Sequence, residues 1–167
     1  MKEEQIKILK TMSEATNRMD LNMFAHRVNL NPNQTIAQIQ ELAKAGFLRK
    51  VGNGYGVTEK GKAALKVFTQ VSSEMGFNFY VGIGKPLGLT AQTLEEFYRL
   101  IKQVSADSLE FHLYRGDFEN WLREVLKDSE LAEEIGNLKM DELKGEDLRK
   151  QLLKAIDAKY GIEELIL

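Results

Sequence analysis

The chain has 167 residues, which suits one large domain or two small ones. Hydrophobic residues make up 43% and charged residues 29%, a composition typical of globular proteins. The absence of cysteine excludes disulfides, thiolate metal sites and a cysteine nucleophile. No apolar run reaches the roughly 18 residues that span a bilayer, and the start MKEEQIKILK is unlike a secretory signal. We therefore expect a cytoplasmic protein that does not associate with membranes.

Charge is divided unevenly along the chain, although the total is only −2. Residues 1–70 contain 11 basic and 6 acidic side chains, a net of +5, whereas residues 71–167 contain 12 and 19, a net of −7. This division indicates a basic half that faces a polyanion and an acidic half with another role. Two small domains can also differ in charge by chance, so the pattern needs support from motifs.

The first part of the chain predicts three helices. Apolar periodicity predicts a helix over residues 3–15, and Asp20 is a suitable N-cap for a second helix over 21–28. Asn31 can cap a third helix, over about residues 32–44, and Pro32 suits its first position. The predicted apolar stripe of this third helix consists of Ile36, Ile39, Leu42 and Ala43.

The opposite face of the third helix is predicted to be polar, with Asn33, Gln34 and Gln38 on it and Thr35 at its flank. Asn and Gln can pair with adenine through two hydrogen bonds, and Thr can contact a thymine methyl. The first two turns carry no Arg or Lys, so guanine recognition is not supported. Simple solvation is the alternative explanation for this face.

A β-hairpin and a fourth helix are predicted next. Phe47, Leu48 and Val51 begin the hairpin, and the glycine-rich tip around Asn53 suits a tight turn. Thr58 is predicted to cap a helix that continues to about residue 73. The basic side chains that could meet phosphates, or could simply be solvated, are Arg49, Lys50, Lys60 and Lys62.

The segment AGFLRKVGNGYGVTEKGKAAL, after a helix, resembles the winged helix-turn-helix family of prokaryotic transcription regulators, and the similarity covers residues 2–72. The resemblance implies a recognition helix in the major groove of double-stranded DNA with the hairpin, or wing, on the backbone. Because one winged helix buries too little DNA for high specificity, a homodimer is expected. The expected DNA-binding residues are Asn33, Gln34, Thr35, Gln38, Arg49, Lys50, Asn53 and Lys60.

The second part of the chain is predicted to be mostly helical. Residues 77–83 suit a strand, residues 84–88 a loop, and helices are expected at about 94–104, 118–126, 129–138 and 146–160. Thr93, Asp117 and Asp128 are suitable N-caps for the first three. The predicted fold class is therefore mainly α, of the α+β type. A winged helix-turn-helix domain with a small β-hairpin wing (1–73) precedes an α-rich domain (74–167) with at most one or two short strands.

Two segments, FYVGIGKPLGLTAQTLEEFYRLIKQV and SLEFHLYRGDFENWLREVLKDSELAEEI, resemble an uncharacterised prokaryotic domain-of-unknown-function family over residues 76–160. This resemblance implies no chemistry. It implies a domain that senses a small-molecule effector or contacts a protein partner.

His112, Arg115, Asp117 and Trp121 form the densest group of functional side chains. One interpretation is a ligand pocket in which Trp121 stacks, Arg115 holds an anion, and the other two form hydrogen bonds. The structural alternative is that Asp117 caps a helix while His112 and Trp121 lie in the core.

Other motifs for catalysis or cofactors are incomplete. Gly82-Ile83-Gly84-Lys85 is not a Walker A loop, because Phe79 stands where the first glycine is needed and Pro86 where Ser or Thr is needed. Two histidines without cysteine do not indicate a metal cluster, and no GxSxG is present. We expect no enzyme, metal or cofactor. The predicted function is a DNA-binding transcriptional regulator whose C-terminal domain senses a ligand or mediates assembly. The alternative is a protein–protein interaction module whose winged helix binds no nucleic acid.

Overall fold

A computed structural model of the chain describes residues 1–15 and 18–167. The chain divides into two compact units, the first made of residues 1–68 and 165–167 and the second of residues 69–164. Helices dominate both, and the described strands form two separate antiparallel pairs. The predicted mainly α fold class is therefore confirmed. Within the described ranges, every helix is too short or too polar to cross a membrane.

The first unit has three helices, a hairpin and a further helix in the order that the sequence predicts. Asp20 and Asn31 cap their helices as predicted, because their side chains accept the N–H of Met23 at 2.9 Å and of Gln34 at 2.8 Å. The elements are α1 (Glu3–Glu14), α2 (Leu21–Arg27), α3 (Pro32–Lys44), β1 (Leu48–Val51), β2 (Gly54–Val57) and α4 (Glu59–Phe68).

The last helix of this unit ends earlier than predicted. α4 stops at Phe68 rather than near Ser73, because the chain beyond it turns extended and the N–H of Val71 donates to the carbonyl of Gln92 at 2.8 Å. The β-branched and polar residues after Phe68 also give little support to another helical turn.

Thr58 and Gly61 join the hairpin to α4. The Thr58 hydroxyl donates to the Gly46 carbonyl at 2.6 Å and accepts the N–H of Gly61 at 3.1 Å, so it caps α4 as predicted. Gly61 is buried, and a Cβ at this position would lie 2.3 Å from the carbonyl oxygen of Phe47. The close approach of α4 to the start of β1 therefore requires glycine.

The second unit packs helices around one hairpin. Thr93 and Asp128 are N-caps as predicted, accepting the N–H of Glu96 and of Leu131, each at 3.0 Å. The elements are β3 (Phe77–Gly82), β4 (Lys85–Ala91), α5 (Leu94–Gln103), α6 (Ala106–Arg115), α7 (Asp117–Glu124), α8 (Ser129–Asn137) and α9 (Gly145–Tyr160), and α10 (Ile162–Ile166) ends the chain.

Two predictions for this unit are wrong. The expected loop at 84–88 is mostly strand, because Ile83 and Gly84 alone make the turn, with Gly84 at φ +69°, and β4 begins at Lys85. Asp117 is the first residue of α7 rather than its cap. The preceding residue, Gly116, is left-handed at φ +80°, which separates α6 from α7 and frees the Asp117 side chain for other contacts.

Two polar side chains, a buried carboxylate and a partly buried guanidinium, hold the helices together. Asp128 is 4% exposed, and its carboxylate accepts Lys159 Nζ at 2.6 Å and the hydroxyl of Tyr160. Burial alone would raise the pKa of Asp128, but these hydrogen bonds hold it below its ordinary value. Arg149 ties α9 to the end of α5, because its Nη1 donates to the carbonyls of Ile101 at 2.6 Å and Val104 at 2.7 Å.

Replacing Gly61 with alanine is expected to destabilise the first unit. The added methyl must displace the Phe47 carbonyl, an overpacking that costs about 1–3 kcal/mol. Chemical denaturation followed by circular dichroism measures the loss. Gly54→Ala is the control, because a Cβ there meets nothing closer than the Val51 carbonyl oxygen at 3.9 Å. Equal stability of the two variants would contradict the packing described for α4.

Candidate functional site

Two regions carry the side chains singled out from the sequence. The first, the α3–hairpin surface, consists of the outer face of α3 together with β1, β2 and their turn. The second, the β3–α6–α7 pocket, is an open cavity in the other unit. Each lies within one unit, so each is described on its own.

Thr35 does not belong to the α3–hairpin surface. It is fully buried, and its hydroxyl donates to the carbonyl of Asn31 at 2.9 Å. The buried row of α3 is Thr35, Ile39 and Leu42, whereas Ile36 is 38% exposed. The helix is therefore rotated relative to the predicted apolar stripe. Thr35, whose hydroxyl has a hydrogen-bond partner, occupies the inward position, and the aliphatic side chain of Ile36 faces outward.

Two further predicted DNA contacts already have structural partners. Gln34 Oε1 accepts the N–H of Asn31 at 3.2 Å and completes a capping box at the start of α3. Lys60 Nζ donates to the carbonyl of Ala45 at 2.8 Å and lies 4.6 Å from the centroid of the Phe47 ring. Lys60 thus closes the end of α3, where a cation interacts favourably with the helix dipole.

Arg49, Lys50, Asn33 and Asn53 are exposed. None of their side chains makes a hydrogen bond or an ion pair with the part of the chain that the structure describes. Gln38 is half-buried, and its Oε1 is buried without a hydrogen-bond partner among the described residues. Of the predicted set, Arg49 and Lys50 are therefore the charged groups that remain free for an external partner.

A wide hollow of about 760 Å³ adjoins this surface. It lies between α2, α3 and the hairpin turn, and partly exposed apolar side chains line it, including Leu21, Ile36 and Tyr55. Neighbouring apolar side chains that stay partly exposed on a surface are a feature of sites that contact another protein.

The β3–α6–α7 pocket brings together His112, Arg115, Asp117 and Trp121. Its volume is about 450 Å³, and all four side chains line it. α6 carries the first two, and the break at Gly116 turns the chain so that α7 presents the other two. A segment of ten residues, 112–121, which contains the helix break, thus forms one wall of the pocket.

His112 is the central link of this wall. It is 3% exposed, its Nδ1 lies 2.9 Å from Asp117 Oδ2, and its Nε2 accepts the N–H of Tyr80 at 2.8 Å. Because Nε2 accepts, the proton of the neutral ring is on Nδ1 and is donated to Asp117. Burial lowers the pKa of His112 below its ordinary value of 6.5, although the hydrogen bond to Asp117 opposes this effect.

The main chain of Tyr80 is held from both sides by α6. Its N–H donates to His112, and its carbonyl accepts the buried hydroxyl of Ser108 at 2.6 Å. The register of β3 against β4 is irregular on both sides of Tyr80. The sequence patterns do not single out Ser108 or Tyr80 as residues of the pocket wall. Both contacts use the main chain of Tyr80, and the spacing of side chains does not indicate main-chain partners.

Arg115 is held at the mouth of the pocket. Its Nε lies 3.4 Å from Asp117 Oδ2, its guanidinium lies 4.7 Å from the centroid of the Phe111 ring, and half of its side chain is exposed. Phe111 was not predicted, but its place four residues before Arg115 on a helix is a signal that could have found it.

Trp121 is mostly structural. It is 7% exposed, its Nε1 donates to the carbonyl of Met75 at 2.8 Å, and its ring lies 5.7 Å from that of Phe77. Phe77 also packs against Phe97 and Phe118, so the floor of the pocket is an aromatic cluster. The inner side of the pocket is therefore filled by ring contacts.

Within residues 1–15 and 18–167, no group of three or more histidine or carboxylate side chains converges where it could hold a metal ion. The residues of the pocket are instead arranged for hydrogen bonding and apolar contact.

A family model matches residues 73–166, more than half of the chain, and it describes a family of unknown function, DUF5752. The chain therefore belongs to this family, which confirms the resemblance of its second part to a domain of unknown function. Among curated proteins and among solved structures, none matches the chain. The similarity of residues 2–72 to winged-helix regulators stays a prediction.

The link through His112 predicts a specific pH dependence of stability. Because the pKa of His112 is lower in the folded chain, the unfolded chain binds a proton first as the pH falls below about 6.5. The free energy of unfolding should therefore decrease on acidification, by at most about 1.4 kcal/mol per pH unit from this group. His112→Gln does not titrate and should show a shallower decrease between about pH 7 and pH 5.

Urea unfolding followed by the fluorescence of Trp121, the single tryptophan, measures this difference. The other titrating groups are the same in both proteins, so the difference in slope belongs to His112. Equal slopes would contradict the burial of a neutral His112.

Proposed function

We propose that the first unit is a winged helix that binds double-stranded DNA, and that the second unit senses a ligand or mediates assembly in a transcriptional regulator. The observation that carries the proposal is the pair of exposed cations Arg49 and Lys50, which lie on the strand that follows α3 and are free of partners among the described residues. The net charge of +5 in residues 1–70 supports a polyanionic partner.

The hairpin suits contact with the DNA backbone. In the β1–β2 register, Arg49 is opposite Gly56 and Lys50 is opposite Tyr55, so neither cation faces a carboxylate across the strands. The turn of Gly52 and Asn53 has two residues, with Gly52 at φ +59°, which keeps the hairpin short. Because neighbouring residues of a strand point to opposite faces, Arg49 and Lys50 should contribute unequally.

Sequence recognition by α3 would be limited. With Thr35 buried and Gln34 in a capping box, Asn33 and the partly buried Gln38 remain for base contacts. Binding would therefore depend mainly on phosphate contacts, and a homodimer would be needed to add the contacts that specificity requires.

A protein–protein interaction module is the second candidate function. The hollow beside α3 favours it, because its partly exposed Leu21, Ile36 and Tyr55 suit an apolar partner better than DNA. On this alternative, Arg49 and Lys50 would form part of a polar rim around the contact.

A fluorescence-anisotropy titration with mixed duplex DNA at low and moderate salt tests the proposal. The intact protein should bind, and the affinity should fall as salt rises. The double variant Arg49→Ala/Lys50→Ala should bind more weakly and reduce the salt slope by about one to two, because the cation that faces the DNA neutralises a phosphate and the other contributes less. The two single variants should show which cation contributes more.

Lys7→Ala/Lys10→Ala is the matched control, because it removes the same charge from exposed positions of α1 in the same unit. It should retain most of the binding. Equal losses in both double variants would indicate an effect of net charge alone. No binding of the intact protein at low salt would contradict DNA binding and favour the interaction module.

A further inference from the structure

From the β3–α6–α7 pocket we infer that the second unit binds a small organic carboxylate with a flat apolar body, held by the guanidinium of Arg115. This inference rests on the sensing role proposed for the second unit and gives that role a ligand class. It does not depend on DNA binding by the first unit, and the experiment below uses no DNA.

Some polar groups of the pocket already have hydrogen-bond partners, and others do not. Both ring nitrogens of His112 and the indole nitrogen of Trp121 already have partners. Arg115 uses only its Nε, toward Asp117, and within the described residues its two terminal nitrogens have no hydrogen-bond acceptor. The side-chain amide of Asn120 is also exposed and lacks a described partner. Hydrogen-bonding capacity is thus left at Arg115 and Asn120, and also at the hydroxyl of Tyr80 and the amide nitrogen of Asn78; Arg115 is the cation among these groups.

The terminal nitrogens of Arg115 suit a carboxylate. A guanidinium donates two parallel N–H groups, which match the two oxygens of a carboxylate. The Phe111 ring and the Asp117 carboxylate fix the orientation of the guanidinium, so less side-chain freedom is lost when a ligand binds. Asp117 Oδ2 is shared by His112 and Arg115 and is therefore already occupied as an acceptor.

The charges of the pocket limit the ligand to a single negative charge. Asp117 is the carboxylate that lines the pocket, His112 is neutral, and β3 and its turn contribute uncharged residues. Arg115 and Asp117 together carry no net charge, so a bound monocarboxylate adds one net negative charge, and the half-exposed position of Arg115 keeps that charge in contact with water. A multiply charged anion would lack further cations among the described lining residues.

The walls suit a flat apolar body. Phe77, Tyr80 and Phe111 line the pocket beside Trp121, and the volume of about 450 Å³ lies within the range of small-molecule sites. Aromatic side chains favour stacked or edge contacts with another ring. A single aromatic ring with a carboxylate is therefore the simplest molecule of this class.

Benzoate is the probe for the test, and benzamide, its neutral analogue of the same shape, is the control ligand. The full chain has one tryptophan, so the indole N–H of Trp121 gives one resonance in a ¹H–¹⁵N NMR spectrum. Benzoate should shift this resonance and saturate, with a dissociation constant on the order of 1 mM or tighter. Benzamide should bind at least about tenfold more weakly, because it lacks the charge-assisted pair.

Arg115→Ala should weaken benzoate binding at least about tenfold, and Arg115→Lys should weaken it less, since it keeps the charge but loses the paired donors. Arg99→Ala is the matched control, because the side chain of Arg99 is as exposed as that of Arg115 but does not line the pocket. It should bind benzoate like the parent protein.

Three results would overturn the inference: no saturable shift with benzoate, equal binding of benzamide, or unchanged binding in Arg115→Ala. A loss of binding in Arg99→Ala as large as in Arg115→Ala would also overturn it, because the effect would then not belong to the pocket. DNA binding is measured in a separate experiment, so either proposal can fail without the other.

Discussion

The wall of the β3–α6–α7 pocket depends on one hydrogen-bonded link, from the N–H of Tyr80 through the ring of His112 to the carboxylate of Asp117. It joins β3 to the end of α6 and the start of α7, and each of its groups is at least partly removed from water. A buried donor or acceptor without a partner is costly, so the loss of any member leaves a neighbouring group unsatisfied. The link therefore holds the strand against the helix break and defines one wall of the pocket.

The same link determines which groups remain for a ligand. Asp117 is engaged by His112 and also lies beside Nε of Arg115, so the guanidinium is held with its outer edge toward the cavity. In the first unit, Lys60 and Gln34 serve the ends of α3, whereas Arg49 and Lys50 on the hairpin stay free among the described residues. In both units, the polar groups proposed to contact a partner are those with hydrogen-bonding atoms that are not used within the described part of the fold.

Much of the fold could be predicted from the sequence, because caps and turns depend on local chemistry. Asp20, Asn31, Thr93 and Asp128 cap the helices predicted to follow them. The rotation of α3 could not be predicted, because a threonine that bonds to its own helix can replace an aliphatic residue in the core. The grouping of His112 with Trp121 could be predicted from their spacing. The partners of His112 could not, because one is a main-chain N–H from a distant strand.

The position of the proton on His112 tests this account most directly. Imidazole ¹⁵N chemical shifts at neutral pH identify it, and a His26→Gln variant assigns the signals by removing the other histidine. We expect a neutral ring with the proton on Nδ1 and an unprotonated Nε2 that accepts the N–H of Tyr80. A proton on Nε2, or on both nitrogens, would contradict it, because Nε2 could then not accept from Tyr80.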